Sequence, residues 1–171
     1  FNNAIDGNGT LTIAEGRIDV SSGSVAQNKL VINSAGSIKA NTSKLNVAQD
    51  VENAGNMELV VNNSATDLGY SIVDSSATKT GALTISNNQT LNANGHSIEQ
   101  KALTIGSASG LGINVNDLKI TDTNIANAGT LILKGNGTFN NELMGDSGTL
   151  EIFNGANINA EKTIYNIIAN N

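Results

Sequence analysis

The 171-residue chain contains no cysteine, no proline and no tryptophan, and it has only two tyrosines and three phenylalanines. Without cysteine the chain has no disulfide framework and no thiolate metal site. Because aromatic residues make up only 3% of the chain, its core has to be built from Ile, Leu, Val and Ala. This composition suits a protein that crosses membranes unfolded and folds outside the cell.

Charge is also scarce, with charged residues at 14% and a formal net charge of −6. No basic run is present, which argues against a nucleic-acid partner, because phosphates require a basic face. No apolar run approaches the roughly 20 residues of a membrane helix, so we expect no direct membrane insertion. No signal segment opens the chain and Phe1 falls inside a repeat, so we expect a segment of a longer exported chain.

A phrase of glycine, a small residue and an apolar–polar–apolar triplet recurs along the chain. It occurs at Gly9–Ile13, Gly81–Ile85, Gly129–Leu133 and Gly148–Ile152. Recurrence of this kind is typical of a stack of similar strands. The strands are separated by dipeptides that tolerate positive φ, namely Asn8-Gly9, Asn94-Gly95, Asn136-Gly137 and Asn154-Gly155.

Apolar residues alternate with polar ones throughout, which places them on one side of a strand. The alternating pairs are Leu11/Ile13, Ile18/Val20, Leu30/Ile32, Leu45/Val47, Met57/Leu59, Leu83/Ile85, Leu103/Ile105, Leu118/Ile120 and Leu150/Ile152. Stretches with helical spacing are short and contain Gly or Asn, which lower helix propensity. The pattern predicts an all-β protein with almost no helix.

The spacing of these pairs indicates how the strands connect. Leu11 to Leu30 is 19 residues and Leu83 to Leu103 is 20, with half-steps of eight such as Leu30 to Ile38. A hairpin meander would not keep such a nested spacing, whereas a chain winding around an axis would. The sequence therefore predicts a right-handed parallel β-helix of about eight coils of roughly 19–20 residues. We expect one β-solenoid domain over residues 1–171, on the order of 40 Å long.

A longer repeat supports the solenoid, because residues 11–61 align with residues 83–135 at an offset of 72 to 74. We interpret this as duplication of a block of about four coils. A third echo relates Phe1–Leu11 to Phe139–Leu150. The least regular segment, Asn62–Thr80, is predicted to be a looped-out coil.

The Gly-Thr-Leu-x-Ile phrase, Asn127–Leu131, and the segments Tyr70–Val73 and Tyr165–Ile168 resemble bacterial autotransporter passenger domains. More broadly, the chain is similar to right-handed parallel β-helix adhesins of Gram-negative surfaces. The resemblance implies an exported rod that presents its faces or loops outside the cell, secreted or anchored to the outer membrane. The membrane β-barrel that normally follows a passenger and the signal peptide are not among these residues.

An enzyme on this fold, such as a polysaccharide lyase or hydrolase, needs converging carboxylates. Only Asp50/Glu52 and Asp117/Asp122 come near a cluster, at comparable places in the long repeat. They could lie on one face about four coils apart. The alternative, which we favour, is that they are solvated turn residues. A carbohydrate-active β-helix enzyme stays the second hypothesis.

Other candidate sites are weaker. His96, the single histidine, follows Asn94-Gly95 without a serine nucleophile motif or an acidic neighbour. The segment Asp6–Gly9 is similar to Gly/Asp-rich calcium solenoids but lacks their nonapeptide, and zinc lacks ligands. An ice-binding array needs a Thr-x-Thr pair in every coil. Only Thr10/Thr12 forms such a pair, whereas Thr84, Thr104 and Thr130 stand singly. We therefore predict no catalytic, cofactor-binding or metal residues and no cofactor.

Asparagine is abundant, and in coil turns it can bond to its equivalent one coil further on. Glycosylation sequons, which an Asn- and Thr-rich chain forms by chance, begin at Asn8, Asn41, Asn62, Asn88 and Asn136. We expect a non-enzymatic extracellular structural or adhesion module. It would bind surface glycans, proteins or copies of itself through polar side faces or the Asn62–Thr80 loop. Open strand edges at the ends of the rod favour a head-to-tail oligomer.

Overall fold

The computed structural model describes residues 2–144, 147–153 and 155–159, and the backbone of residues 166–169. Its strands are β1 (Ala4–Asp6), β2 (Thr10–Val20), β3 (Ser24–Gln27), β4 (Lys29–Asn41), β5 (Leu45–Val47), β6 (Val51–Asn53), β7 (Asn56–Val60), β8 (Ile72–Val73), β9 (Ala82–Ser86), β10 (Thr90–Asn92), β11 (Ile98–Gln100), β12 (Ala102–Ile105), β13 (Gly110–Asn114), β14 (Leu118–Ile120), β15 (Asn124–Asn127), β16 (Thr130–Lys134), β17 (Gly137–Phe139), β18 (Glu142–Met144), β19 (Thr149–Ile152), β20 (Ala156–Ile158) and β21 (Asn166–Ala169). Within the described ranges the helical content is two single 3-10 turns, Thr42–Lys44 and Val115–Asp117. No helix in that part of the chain is long and apolar enough to cross a membrane.

The strands stack in parallel into a β-solenoid of about eight turns, as the sequence predicts. Each turn contributes to three sides, which we call faces A, B and C. Face A holds the N-terminal parts of β2 and β4, followed by β6, β8, β11 and β14. Face B holds the C-terminal parts of β2 and β4, followed by β7, β9, β12, β15 and β18. Because β2 and β4 run through both faces, A and B form one 11-stranded sheet.

Face C is divided into two sheets. The first contains β1, β3 and β5, and the second contains β10, β13, β16, β19 and β21. Between them, the segment that follows β7 forms only isolated bridges, Asn62 with Ala65 and Asp67 with Asn92. The strands β17 and β20 pair with each other in a separate two-stranded sheet.

The strand register shows how the chain advances from turn to turn. On face A, aliphatic side chains pair one above the other in the order Leu11, Leu30, Val51, Ile72, Ile98 and Leu118. Most turns therefore advance by 19 to 21 residues. The step from Ile72 to Ile98 takes 26, because six residues, Ser75 to Thr80, loop out between β8 and β9. The prediction of a looped-out coil over Asn62–Thr80 is therefore corrected: only Ser75–Thr80 loops out, whereas Ile72–Val73 forms β8 and residues 62–71 complete the preceding turn.

The interior is aliphatic, as the composition requires. Fully buried positions include Leu30 and Ile98 on face A and Leu59 and Ile85 on face B. Burying one such side chain stabilises the fold by roughly 1.5–3 kcal/mol. Since each strand covers the one before it, buried aliphatic rows such as Leu30, Val51, Ile72 and Ile98 run along the axis.

The glycine of the recurring phrase lies where the chain passes close to the preceding turn. A Cβ on Gly81 would stand 2.1 Å from the carbonyl oxygen of Asn53, and one on Gly148 would stand 2.0 Å from that of Asn127. No side chain fits at such a distance. The phrase therefore begins with glycine because the backbone of the previous turn occupies the space of a side chain.

The long repeat is also visible in the structure, since the 3-10 turns Thr42–Lys44 and Val115–Asp117 lie at its offset. The two copies do not lie directly above each other. Leu11 is on face A, whereas its equivalent Leu83 is on face B, three turns and one face further along. The expectation of a block of about four whole coils was therefore wrong, and the second copy is rotated by one face.

Candidate functional site

Face A carries a row of charged side chains on its outer surface. The register places Glu52, Val73, Glu99 and Lys119 one above the other on successive strands. The ammonium of Lys29 lies 3.1 Å from the Glu52 carboxylate, and that of Lys119 lies 2.6 Å from Glu99. Opposite charges on neighbouring turns therefore neutralise one another along this face.

A groove of about 530 Å³ opens on face A around Glu52. Its lining contains Lys29, Gln49, Asp50 and Ser75. The Ser75 hydroxyl donates to Glu52, and the Asp50 carboxylate accepts a hydrogen bond of 3.1 Å from the backbone N–H of Ser71. The groove thus presents an ammonium, carboxylates, an amide and a hydroxyl to solvent.

Beneath the groove, Asp74 is fully buried. Its carboxylate accepts hydrogen bonds from the backbone N–H groups of Ser76, Thr80 and Gly81 at 3.0, 2.6 and 2.8 Å, and from the Ser76 hydroxyl. Burial by itself raises the pKa of Asp74, but these hydrogen bonds outweigh it and hold the pKa below its ordinary value. The carboxylate therefore fixes both ends of the Ser75–Thr80 loop.

Asp74 belongs to a short polar row inside a mostly aliphatic interior. Because Glu52 pairs with Val73 and Val73 with Glu99, the following residues Asn53, Asp74 and Gln100 occupy consecutive positions. The amide of Asn53 donates to the Gln100 side chain at 2.7 Å, while its own Oδ1 is buried and has no hydrogen-bond partner among the described residues. These contacts bind three turns to one another and serve the scaffold.

Of the four carboxylates predicted as possible catalytic partners, Asp50 and Glu52 line the same groove, but the two predicted pairs do not converge. Asp50 and Glu52 lie at β6, whereas Asp117 and Asp122 flank β14, three strands further along face A. Asp117 accepts a hydrogen bond of 3.1 Å from the amide of Asn114. None of the four shares a hydrogen-bond or ion-pair partner with another within the described ranges.

The other candidate residues are dispersed. The half-buried His96 lies in the turn after Asn94 and Gly95, which have φ of 52° and 84°. No group of three or more His, Asp or Glu side chains that could hold a metal ion occurs among the described residues, Asp6 included. Two residues named in the sequence analysis lie outside the described residues: Asn154 of the predicted Asn154-Gly155 turn, and Tyr165 of the segment that resembles autotransporter passengers.

The threonines do not form one array. Thr84 pairs with Thr104 on face B, Thr130 pairs with Thr149 on face C, and Thr12 on face A pairs with Val31. Threonine pairs are thus divided among the faces. This distribution lacks the flat paired rows that an ice-binding surface requires.

Asparagine amides connect neighbouring turns, mostly by donating to backbone carbonyls. Asn41 donates to Ser21 at 3.2 Å and Asn87 donates to Val61 at 2.9 Å. The predicted side-chain stacking occurs at Asn159, whose amide donates to Asn140 one turn earlier at 3.2 Å. Three sequon asparagines are exposed in turns: Asn8, Asn88 and Asn136.

Sequence reasoning singled out Asp50 and Glu52 on face A but missed their neighbours Lys29 and Ser75 and the pair of Glu99 with Lys119. Opposite charges spaced by one turn were the available signal: Glu99 and Lys119 are 20 residues apart, as Lys39 and Glu58 on face B are 19 apart and lie within 2.8 Å. Asp74 gave no comparable signal, because its burial depends on turns distant in sequence.

The chain matches no protein-family model, and no curated protein or solved structure is significantly similar to it.

Proposed function

We propose that this chain is a non-enzymatic structural and adhesion module, displayed as a rod on a bacterial cell surface or secreted from it. The observation that carries the proposal is the pairing of Lys29 with Glu52 and of Lys119 with Glu99 along face A. Charged side chains are placed for contact between turns and toward solvent. A catalytic site would instead need them to converge on one reacting atom.

The rod itself supports a spacer role. Turns that stack at about 4.8 Å give a length on the order of 40 Å for about eight turns. Strands pair with the turns directly before and after them, and a side-chain contact such as that of Asn53 with Gln100 spans two turns, so the length can change with little effect on distant turns. The resemblance to autotransporter passengers and the absence of cysteine agree with display outside the cell.

The groove on face A is the part of the rod we assign to binding. Lys29, Gln49, Asp50 and Ser75 present donors and acceptors beside Glu52. The chemistry suits the hydroxyl groups of a surface glycan or the polar surface of a protein, and it has no basic excess for nucleic acid. Lys29 pairs with Glu52, which leaves the Asp50 carboxylate as the net charge of the groove, so binding would depend mainly on hydrogen bonds.

A glycan array with the purified chain tests this assignment. We expect retention of one glycan class, and its loss in the double variant Lys29→Gln/Glu52→Gln. The matched control is Lys39→Gln/Glu58→Gln, which removes a similar ion pair from face B. Equal retention by both double variants would refute the assignment to face A.

The enzyme hypothesis is tested on the same glycans. Incubation of the chain with polysaccharides of each retained class, followed by assay of new reducing ends, should show no turnover. Turnover that disappears in Glu52→Gln would overturn the non-enzymatic function and favour a carbohydrate-active enzyme.

A further inference from the structure

We infer that a groove on face C, in the middle of the rod, is a binding site for one neutral sugar ring. The site is separate from the face A groove and does not depend on the function assigned there. It lies where face C is interrupted, between β5 and the segment of the next turn that follows β7. This face C groove has a volume of about 320 Å³, and its lining includes Ser43, Leu45, Val47, Asp67, Leu68 and Tyr70.

The first wall of the face C groove is the edge of β5 that points to the next turn. The N–H of Ala48 donates to the carbonyl of Gln27 in the preceding turn at 3.1 Å. Because successive residues of a parallel strand point their N–H and C=O groups to opposite neighbours, those of Leu45 and Val47 point into the groove. No described residue forms a hydrogen bond with these four groups.

The second wall is the segment of the next turn. Its Leu68 N–H donates to Asn92 at 2.8 Å and its Thr66 carbonyl accepts from Asn92 at 2.7 Å, both on the side away from β5. By the same alternation, the N–H and C=O of Asp67 point back toward β5, and no described residue bonds to them. Unpaired backbone donors and acceptors therefore face each other across the groove.

The face C groove is closed at both ends. At one end the Thr42 hydroxyl accepts from the N–H of Asn62 at 2.9 Å and donates to the carbonyl of Ala65 at 2.6 Å, so a side chain stands between the two turns. At the other end the N–H of Val51 donates to the carbonyl of Ser71 at 2.8 Å. An extended peptide would have to enter and leave along the strand direction, so the closed ends favour a compact ligand.

Tyr70 supplies a polar group that the fold itself does not use. Its side chain lines the groove and is only 6% exposed, and its hydroxyl has no hydrogen-bond partner among the described residues. Burial raises the pKa of this phenol, so the hydroxyl keeps its proton and can donate. A buried hydroxyl without a partner is costly, and a ligand hydroxyl would satisfy it.

Volume and charge select the class of ligand. Small-molecule pockets span roughly 300–1,000 Å³, and the face C groove lies at the lower limit, which suits a single ring. Its lining contains the Asp67 carboxylate but no Lys or Arg, which disfavours anions. That carboxylate already accepts from the Asn92 amide at 3.1 Å. Sugar hydroxyls both donate and accept, and so match the mixed backbone groups of Leu45, Val47 and Asp67.

Titration of the isotope-labelled chain with glucose and galactose, followed by amide NMR, tests the inference. We expect saturable shifts of the Leu45, Val47 and Asp67 signals with a Kd on the order of 1 mM, because a small ligand held by a few hydrogen bonds binds weakly. Tyr70→Phe keeps the ring but removes the hydroxyl, and it should weaken binding by about three- to tenfold. The matched control is Ser109→Ala, which removes another buried hydroxyl that has no partner and does not line the groove; it should bind like the wild type.

Two further measurements keep the test independent of the variants. Saturating glucose should slow amide hydrogen exchange at Leu45 and Val47 in the wild-type chain. Glucuronate should bind more weakly than glucose, because the lining has a carboxylate and no cation. Thermal unfolding at neutral pH checks that Tyr70→Phe folds.

The inference would be overturned if sugar up to about 100 mM shifted none of these amides or left their exchange unchanged. Equal affinity in folded Tyr70→Phe and the wild type would also overturn it, as would tighter binding of glucuronate than of glucose. A Kd near 1 mM is too weak for retention on a washed glycan array. The face A double variant Lys29→Gln/Glu52→Gln should bind glucose like the wild type, so failure of the face C groove and failure of the face A function are separate results.

Discussion

Replacing Asp74 should destabilise this solenoid more than replacing any exposed carboxylate. Its side chain is fully buried and accepts from the N–H groups of Ser76, Thr80 and Gly81. Asp74→Ala leaves these donors without their acceptor, and the N–H of Gly81 is buried away from water. The loop between β8 and β9 would then lose the group that holds both of its ends.

The size of the effect follows from these contacts. A hydrogen bond to a charged group contributes about 1.5–3 kcal/mol, and an unsatisfied buried donor costs about 1–3 kcal/mol. With one buried and two partly buried donors, Asp74→Ala should lower the free energy of unfolding by about 3–5 kcal/mol. Asp74→Asn keeps one acceptor oxygen but turns an NH₂ group toward Thr80 and Gly81, so it should lower it by about 1–3 kcal/mol.

The pH dependence has a defined sign. The pKa of Asp74 is held below its ordinary value of 3.8, so the folded state favours the charged form. The resulting stabilisation is fully present above pH 3.8 and is lost as the pH falls below it through the folded-state pKa. In Asp74→Asn this acid-dependent part of the stability should be absent.

Urea unfolding and native-state amide hydrogen exchange measure the effect. Asp74→Ala should lower the urea midpoint and accelerate exchange at Thr80 and Gly81. The control is Asp50→Ala, which removes an exposed carboxylate with a single backbone hydrogen bond and should change stability by less than about 1 kcal/mol. A midpoint and loop exchange in Asp74→Ala that match those of Asp50→Ala would refute this reasoning.

Three further outcomes are expected. Gly81→Ala should destabilise by about 2 kcal/mol or more in urea unfolding, whereas Gly69→Ala should be neutral, since only the Cβ at 81 meets a backbone carbonyl; equal midpoints would contradict the steric explanation of the phrase. Asn127→Ala should cost about 2–4 kcal/mol, because this buried amide donates to a carbonyl of the next turn and accepts from the N–H of Gly129; a loss under about 0.5 kcal/mol would count against it. Burial raises the pKa of the Tyr70 phenol, so its contribution to stability should be fully present below pH 10.0, the ordinary pKa, and should be lost as the pH rises above that value. Tyr70→Phe should remove this loss of stability at alkaline pH in thermal melts, and a pH profile like that of the wild type would contradict the explanation.

Much of the fold could be predicted from local patterns. Alternation such as Leu83/Ile85 determines which side chains point inward, and the spacing of such pairs determines the turn length. Both signals are short in range and repeat many times, so the solenoid could be predicted without knowledge of distant contacts. The groove could be predicted only in part, because Asp50 and Glu52 are close in sequence whereas Lys29 and Ser75 come from other turns.

The sequence by itself determined the inward rows, the near absence of helix and the stacking of about eight turns. Tertiary structure decided which outward residues meet, why Asp74 is buried and that the second copy of the repeat is rotated by one face. The physical reason is that the residue paired with any given residue depends on the lengths of all the turns between the two. The loop between β8 and β9 adds residues to a single turn, so every later partner depends on it.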